Sequence, residues 1–163
     1  MYILGISGGV KLGYQDIGAA LVHNGKLVAS VEDERLNRIK HSPSQLSQLS
    51  IRSVLDSEKI SIKDIDFIAS HGITWGETFH NILQGFFIAE FGYCPPIELL
   101  HHHDSHAASA YYASSFDEAM ILTMDGSGDG ISMEWAVGKG QEMNVLKRIE
   151  RPNSLGIFYS MIT

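Results

Sequence analysis

The sequence predicts an α/β fold in which one βββαβαβα unit is followed by the first part of a second. Three observations lead to this prediction. Short apolar segments alternate with stretches of helical periodicity, and turn residues separate them. The Asn24-Gly25 pair between two apolar runs is the strongest hairpin signal in the chain. An order of strand, glycine turn and strand opens the chain and begins again near residue 118.

The first unit is expected to begin with three antiparallel strands. Apolar residues over 2–7 and 17–23 predict two strands, and a glycine-bearing turn, Gly8–Tyr14, joins them. The Asn24-Gly25 turn then returns the chain through a third strand over 26–31.

Helices and strands alternate through the rest of this unit. Pro43 and the serines around it predict the start of a helix that ends near Asp56. Helical periodicity over 78–91 is broken by Pro95-Pro96. The remaining predicted elements are strands over 65–70 and 97–100 and a helix of small residues from the histidine run through Ser114.

The pattern then restarts, which places the predicted domains at 1–117 and 118–163. Strands are predicted over 119–124, 131–137 and 143–149, with a helix from Ser154. A duplicated βββαβαβα unit is the architecture of the actin-like ATPase and sugar-kinase superfamily, and this element order resembles its RNase H-like domains. The second domain is then incomplete at Thr163.

Two glycine-rich loops are candidates for phosphate binding. In the superfamily that the element order resembles, the phosphates lie between the domains, so loops over 7–13 and 126–130 would face each other across the cleft. Main-chain N–H groups in such loops form an anion-binding concavity, and glycine permits close approach. The alternative is that both loops are tight turns. The residues of the second candidate loop are Gly126, Ser127, Gly128 and Gly130.

Composition and charge exclude several classes of function. The 163 residues are 44% hydrophobic and 19% charged, which is ordinary for a globular protein with its own core. A formal net charge of −7 argues against a general nucleic-acid or anionic-membrane surface, because such surfaces need an excess of lysine and arginine. No window approaches 18 apolar residues, so we expect no membrane-spanning segment. Cys94 is the only cysteine and cannot form a disulfide within the chain. We therefore expect a cytoplasmic protein that binds neither a membrane nor nucleic acid.

The run HHHDSHAAS at 101–109 is the most informative segment. His102 and His106 stand four residues apart at the start of the predicted helix, which places two imidazoles on one face. Asp125 follows the next predicted strand, and two nitrogens with a carboxylate can share a divalent ion. Two alternatives stay open. His103 could converge with His106 instead, at i and i+3, or the histidine triplet could collect metal at the surface.

Five sequence blocks resemble the carbamoyltransferases that carry a Kae1-like domain, the family of the nodulation protein NodU and of antibiotic O-carbamoylation enzymes. The blocks occur in the family's order and correspond to its N-terminal portion. Their joint occurrence is more specific than a single glycine motif. They are LGI at 4–6 with GYQD at 13–16 and AALV at 19–22; VEDER at 31–35 through RIKH at 38–41; HHDSHAASA at 102–110; MDG at 124–126; and SLGIFY at 154–159.

The resemblance implies a reaction and part of a site. Family members transfer a carbamoyl group from carbamoyl phosphate, through carbamoyl-adenylate made with ATP, to a hydroxyl of a small acceptor. Their metal, thought to be iron, is held by residues that correspond to His102, His106 and Asp125, with a further aspartate beyond Thr163. Lys40 matches a family lysine that contacts the carbamoyl-phosphate or nucleotide-derived group, for which an ammonium is a suitable point charge. The alternative is a solvated lysine in a basic patch.

One position departs from the family pattern. The family's catalytic histidine, a base toward the acceptor hydroxyl, falls on Gln15, whose amide can orient a substrate but cannot take up a proton at neutral pH. Loss of a general base typically lowers a rate about 10²- to 10⁴-fold. Asp16 could act instead, since a carboxylate in a partly dry cleft can have a raised pKa. A one-residue error in the match is the other explanation.

The resemblance also bears on partners. Family members continue through the rest of the second domain and a YrdC-like domain that makes carbamoyl-adenylate, so we expect a homo-oligomer, a partner that supplies the C-terminal half, or a fragment of a longer product. Three functions stay open: the N-terminal part of a carbamoyltransferase with metal and nucleotide at the interdomain cleft; a catalytically silent metal- or nucleotide-binding module that acts through a partner chain; and a sugar- or acetate-kinase-like phosphotransferase. The HxxxH block has no use in the last of these.

Overall fold

A computed structural model of the chain describes residues 1–8, 16–43 and 46–162. The chain forms two compact units, Met1–Leu99 and Leu100–Thr163, each with its own sheet. The sequence places the domain boundary between residues 117 and 118, whereas the units divide before the helix that carries the histidine run. This helix belongs to the second unit because its buried side chains Ala107 and Tyr111 pack against the second sheet. Within the described ranges, no helix has both the length and the apolar character needed to cross a bilayer.

The first unit contains a five-stranded sheet in the order β3-β2-β1-β4-β5. Its strands are β1 (Tyr2–Ser7), β2 (Gly18–His23), β3 (Lys26–Glu32), β4 (Phe67–His71) and β5 (Ile97–Leu100). Strand β2 pairs antiparallel with β1 and β3, and β1 pairs parallel with β4. Asn24 and Gly25 form the turn between β2 and β3 with φ values of 49° and 77°, as a tight hairpin requires. The predicted three-stranded opening is therefore confirmed.

The first unit also has three α-helices, of which the two longer ones pack with the sheet around one core. The three helices are α1 (Asp33–Asn37), α2 (Gln48–Glu58) and α3 (Gly76–Phe91), and single 3₁₀ turns span Ile62–Asp64 and Ile73–Trp75. The sheet and the two long helices contribute the fully buried apolar side chains Leu4, Leu21, Ile51, Ile68, Phe79, Leu83 and Phe87.

Helix α2 begins later than the sequence predicts. The buried carboxylate of Asp33 accepts the N–H groups of Leu49 and Ser50 at 3.3 Å and 2.9 Å. This side chain supplies the cap that the first turn of a helix needs. A cap that comes from a residue about 15 positions earlier leaves no local sequence signal, so Pro43 was the wrong marker for the start of the helix.

The second unit is a three-stranded antiparallel sheet with two helices. The strands β6 (Glu118–Gly128), β7 (Ile131–Lys139) and β8 (Glu142–Glu150) lie in that order, and the helices are α4 (His102–Tyr112) and α5 (Leu155–Ile162), preceded by a 3₁₀ turn at Arg151–Asn153. Side chains of β6 alternate between the two faces of the sheet, with Ile121 and Thr123 buried and Met120, Leu122 and Met124 exposed. Helix α4 covers the buried face.

The predicted glycine loop over 126–130 is shorter than expected. Strand β6 continues to Gly128, which pairs with Ile131, and the pairing is irregular between Met124 and Gly128. The turn consists of Asp129 and Gly130, whose φ values are 52° and 80°. The loop shortens because a two-residue turn of this kind lets β7 pair with the glycine segment from its first residue.

Candidate metal centre

Helix α4 presents two imidazoles at one point. His102 is the first residue of the helix, and its N–H, which has no partner within the helix, donates to Asp129 Oδ2 at 2.8 Å. His106 lies one turn later. The Nε2 atoms of His102 and His106 are 2.9 Å apart, as the i, i+4 spacing predicts for side chains on one face.

Asp125 on β6 completes the cluster. Its Oδ2 lies 2.7 Å from Nε2 of His102 and 3.7 Å from Nε2 of His106. Its other oxygen, Oδ1, accepts the Gly126 N–H at 2.6 Å, which fixes the orientation of the carboxylate. The three ligand atoms lie within 4.8 Å of one another, close enough to share one ion.

The charge states of this cluster suit metal ligation. Burial works against ionisation of Asp125, but hydrogen bonds from His102 and the Gly126 N–H outweigh it and hold the pKa of this carboxylate below its ordinary value. Burial, followed by the neighbouring His102, lowers the pKa of His106. Near neutral pH the cluster therefore favours an ionised carboxylate and a neutral imidazole at position 106, which are the forms that bind a metal.

The donor set itself fits a divalent transition metal. The Nε2 atoms of His102 and His106 lie 2.9 Å apart, and Asp125 Oδ2 lies 2.7 Å from the first of them, so three atoms that can each donate an electron pair meet at one point. A cation accepts both lone pairs together with the carboxylate oxygen. Two histidines and one carboxylate are a ligand set of non-haem iron and of zinc sites.

Two glycines let the backbone approach these ligands. A Cβ on Gly128 would lie 2.0 Å from Cδ2 of the His102 ring, and a Cβ on Gly156 would lie 2.6 Å from the carbonyl carbon of Asp125. Ser154, just before α5, donates its hydroxyl to the Asp125 carbonyl at 2.9 Å. The start of α5 is thus attached to the residue that supplies the carboxylate.

His103 makes different contacts from His102 and His106. Its side chain is fully buried, with Nδ1 2.6 Å from Thr123 Oγ1 and Nε2 3.1 Å from the Ile131 carbonyl. Because a carbonyl only accepts, Nε2 donates, and Nδ1 accepts the threonine hydroxyl proton. His103 therefore joins α4 to the sheet, and of the pairs considered from the sequence the structure brings together His102 with His106.

The predicted nucleotide-binding residues lie beside this cluster. Gly126, Ser127 and Gly128 form the end of β6, and Gly130 lies in the turn. The structure thus places them next to Asp125 in the chain and in space, and their role in binding a nucleotide stays a prediction.

The other predicted site residues belong to the first unit. Gln15 lies outside the described residues. Asp16 is exposed and lies two residues before the first residue of β2. Lys40 is also exposed, and its Nζ lies 3.1 Å from Oε2 of Glu34. The catalytic role of Asp16 and the phosphate contact of Lys40 stay predictions.

Sequence reasoning missed a charged network in the second unit. Glu134 occupies an inward position of β7 and is 1% exposed. Arg148 on β8 donates through Nε to Glu134 Oε2 at 2.6 Å and also pairs with Asp104 of α4. The sequence offered one indication of this network: Glu134 is the only acidic residue among the small and apolar residues of its strand. Its partner, Arg148, lies on another strand, so the sequence pattern did not point to it.

Comparisons with known proteins agree with this architecture. A family model described as "Carbamoyltransferase N-terminus" matches residues 6–91 and 89–163. Nodulation protein NolNO of Sinorhizobium fredii is 36% identical over 98% of this chain and 28% of its own length, and protein sll1178 of Synechocystis is 33% identical over 95% and 31%. The chain thus spans less than a third of the length of these curated relatives.

Solved structures support the fold. YeaZ from Pseudomonas aeruginosa matches with a TM-score of 0.54 and 16% identity, covering 91% of this chain and 67% of that one. A second structure, titled as similar to peptidase YEAZ from the same organism, matches with a TM-score of 0.52 and 19% identity, covering 90% and 63%. The predicted actin-like, RNase H-like α/β class is confirmed. The family resemblance of the five sequence blocks is confirmed as well, because the family model matches nearly the whole sequence: the chain belongs to the carbamoyltransferase N-terminus family.

Proposed function

We propose that this chain is the N-terminal part of an enzyme that transfers a carbamoyl group from carbamoyl phosphate, through carbamoyl-adenylate, to a hydroxyl of a small acceptor. One observation carries the proposal: a member of this family brings His102, His106 and Asp125 together in a ligand geometry. Family membership supports the general class of reaction, and the cluster supports His102, His106 and Asp125 as part of the proposed site.

His102, His106 and Asp125 would hold a divalent ion, with iron as the proposed metal. When bound, such an ion acts as a Lewis acid that stabilises negative charge on a carbonyl or phosphoryl oxygen. The protein's own residues prepare the ligands for this task. Gly126 and Ser154 fix the carboxylate and the main chain of Asp125, and Asp129 fixes the first turn of α4.

Each unit also carries one candidate contact to an anionic group, Lys40 in the first unit and the segment 126–130 in the second. The ammonium of Lys40 supplies a point charge for a phosphoryl oxygen of carbamoyl phosphate or of a nucleotide. Glu34 keeps this ammonium in place through contacts at 3.1 Å and 3.2 Å to its two oxygens. The three glycines of the segment 126–130 carry no side chain, which suits close approach of a phosphate of ATP or carbamoyl-adenylate.

The second unit also exposes apolar side chains that a contact with other polypeptide would bury. Met120, Leu122 and Met124 of β6 are exposed on the sheet face opposite α4, each by half or more. Phe158 and Tyr159 of α5 are exposed as well. An exposed apolar face of this kind marks a contact surface. Further polypeptide of the length found in the curated relatives, a second copy or a partner chain would cover it.

A second function is favoured by one residue. Gln15 stands where the family's base is expected, and an amide does not titrate. The chain would then be a catalytically silent module that binds metal or nucleotide and acts through a partner chain.

Carbamoyl transfer distinguishes the two. The chain is co-expressed with the C-terminal portion of the Sinorhizobium relative, and AMP and carbamoylated acceptor are measured with carbamoyl phosphate, ATP and a panel of polyols and sugars. The enzyme proposal predicts transfer that His102→Ala and Asp125→Ala abolish, while Lys147→Met on the exposed side of β8 leaves it intact. Metal or nucleotide binding without transfer in the wild type would favour the silent module.

A further inference from the structure

A histidine and a carboxylate of the first unit form a hydrogen-bonded pair. His41 Nδ1 lies 2.6 Å from Asp16 Oδ1. An ionised carboxylate only accepts, so the proton of this bond resides on Nδ1. In the neutral ring Nε2 is then the basic nitrogen, and the carboxylate fixes both the tautomer and the ring orientation. This is the relation between imidazole and carboxylate that activates a general base.

The pair lies close to the end of β1, and residues 9–13 of the first candidate phosphate loop lie outside the described residues. Ser7 is the last residue of β1, and its hydroxyl donates to the Asp16 carbonyl at 2.8 Å. This bond joins the end of β1 to Asp16. Beside His41 in the chain is Lys40, the proposed contact of a phosphoryl oxygen.

The backbone of His41 is held in an unfavourable conformation. Its φ is 62°, and that of the following Ser42 is 39°, both in the left-handed region that side chains disfavour. Among the bonds that hold this turn, the His41 N–H donates to Glu34 Oε2 at 2.8 Å and Asn37 Nδ2 donates to Ser42 Oγ at 2.8 Å. Backbone strain that surrounding contacts maintain is concentrated at functional sites.

The charged groups around the ring leave His41 as the best base. Glu34 accepts the His41 N–H and pairs with Lys40 and Arg35, and these contacts, the His41 N–H first, hold the pKa of Glu34 below its ordinary value. Glu34 is therefore a weak base, and its committed oxygens also disfavour a metal at Asp16, Glu34 and His41. The Asp16 carboxylate is engaged by the imidazole. Histidine is the residue type best suited to accept a proton near neutral pH.

We infer that His41, oriented by Asp16, is the general base toward the acceptor hydroxyl, the role that Gln15 cannot fill; the inference rests on the proposed carbamoyl transfer. Nε2 of His41 takes the acceptor O–H proton while that oxygen forms a bond to the carbamoyl carbon. The bond from this carbon to the phosphate oxygen of carbamoyl-adenylate breaks, and AMP leaves with the bonding electrons. The proton on the imidazolium then passes to solvent. His41 is the catalytic residue, and Asp16 is a positioning residue.

The tautomer of His41 tests the pair without any need for turnover. Protein labelled with ¹⁵N-histidine is examined by NMR above the titration range of the imidazole, and His41→Gln assigns the signal. We expect the Nδ1–H tautomer in the wild type and a shift toward Nε2–H in Asp16→Asn. An Nε2–H tautomer in the wild type would overturn the inference. His80→Gln, a change on α3 of the same unit, should leave the His41 signals unmoved.

Carbamoyl transfer then tests the role, with the co-expressed protein described above. His41→Gln should lower kcat about 10²- to 10⁴-fold with little change in KM for carbamoyl phosphate, and should remove the acid limb of the pH–rate profile. Asp16→Asn should lower kcat in the same way, and Asp16→Glu should restore part of it. His80→Gln should match the wild type. Wild-type kcat in His41→Gln would overturn the inference. Absence of transfer in the wild type would overturn the proposed function, and the base role with it, whereas the tautomer would still report whether the pair forms.

Discussion

The His102 imidazole lies directly against Gly128, so closely that a Cβ on this glycine would lie 2.0 Å from the ring. The ring and the strand cannot both keep their places if a side chain is added. Gly128 therefore sets the position of a metal ligand without donating an atom to the metal.

Gly128→Ala should weaken metal binding about 10- to 100-fold, the range typical of changes that displace a ligand through its surroundings. Isothermal titration with Fe²⁺ or Zn²⁺ measures the effect. Gly85→Ala is the matched control, because a Cβ there meets no atom within 4 Å. Metal affinity equal to that of the wild type in Gly128→Ala would show that His102 does not depend on this contact.

A second close approach supports the core of the same unit. A Cβ on Gly138 would lie 2.5 Å from the Tyr111 ring, whose hydroxyl donates to the Asp117 carbonyl at 2.9 Å. Gly138→Ala should displace this buried ring and destabilise the protein by about 1–3 kcal/mol. Urea unfolding followed by tyrosine fluorescence reads the change. Unchanged stability would mean that the ring has room to move.

Arg148 neutralises a carboxylate that has no access to water. Arg148→Met leaves Glu134 buried without its partner, and Oε1 of Glu134 already has no hydrogen-bond donor among the described residues. We expect a loss of about 3–5 kcal/mol, the cost of breaking a buried ion pair from one side. The double variant Arg148→Met/Glu134→Gln should recover part of it, because no buried charge remains. Lys147→Met, next along the strand, is the control, and equal losses in the single and double variants would contradict the account.

Acid should release the segment that carries Lys40 and His41. The contacts of Glu34 hold its pKa below the ordinary value, so its ionised form stabilises the folded state. This contribution is fully present above the unfolded-state pKa of about 4.3 and is lost as pH falls through the lower folded-state value. Glu34→Gln should therefore be less stable than the wild type at pH 7, with the difference shrinking toward pH 3.

Thermal unfolding across that pH range measures this effect. Glu98→Gln, a change at an exposed position of β5, provides the control and should show no comparable trend. A difference between Glu34→Gln and the wild type that is the same at pH 7 and pH 3 would contradict the role given to the Glu34 carboxylate.

The elements that could be predicted are those with local causes. The Asn24-Gly25 hairpin depends on two neighbouring residues, and the convergence of His102 with His106 depends on one helical turn. Both were predicted from the sequence alone. The family blocks placed Asp125 with this pair, and the structure brings it to 2.7 Å from His102.

The elements that could not be predicted depend on distant partners. Helix α2 begins where Asp33 caps it, and β6 extends to Gly128 because β7 pairs with it. The buried side chain of His103 is held by hydrogen bonds to Thr123 and to the Ile131 carbonyl, which lie twenty or more residues away in the chain. Sequence periodicity does not reveal such long-range contacts.

Metal content shows whether His102, His106 and Asp125 hold a metal in this chain. Tag-free wild type, His102→Ala, Asp125→Ala and the control His80→Gln are dialysed against metal-free buffer and examined by elemental mass spectrometry. We expect about one iron or other transition metal per chain in the wild type and the control, and loss of that metal in the other two variants. No retained metal in the wild type, or equal metal in all four proteins, would contradict this expectation.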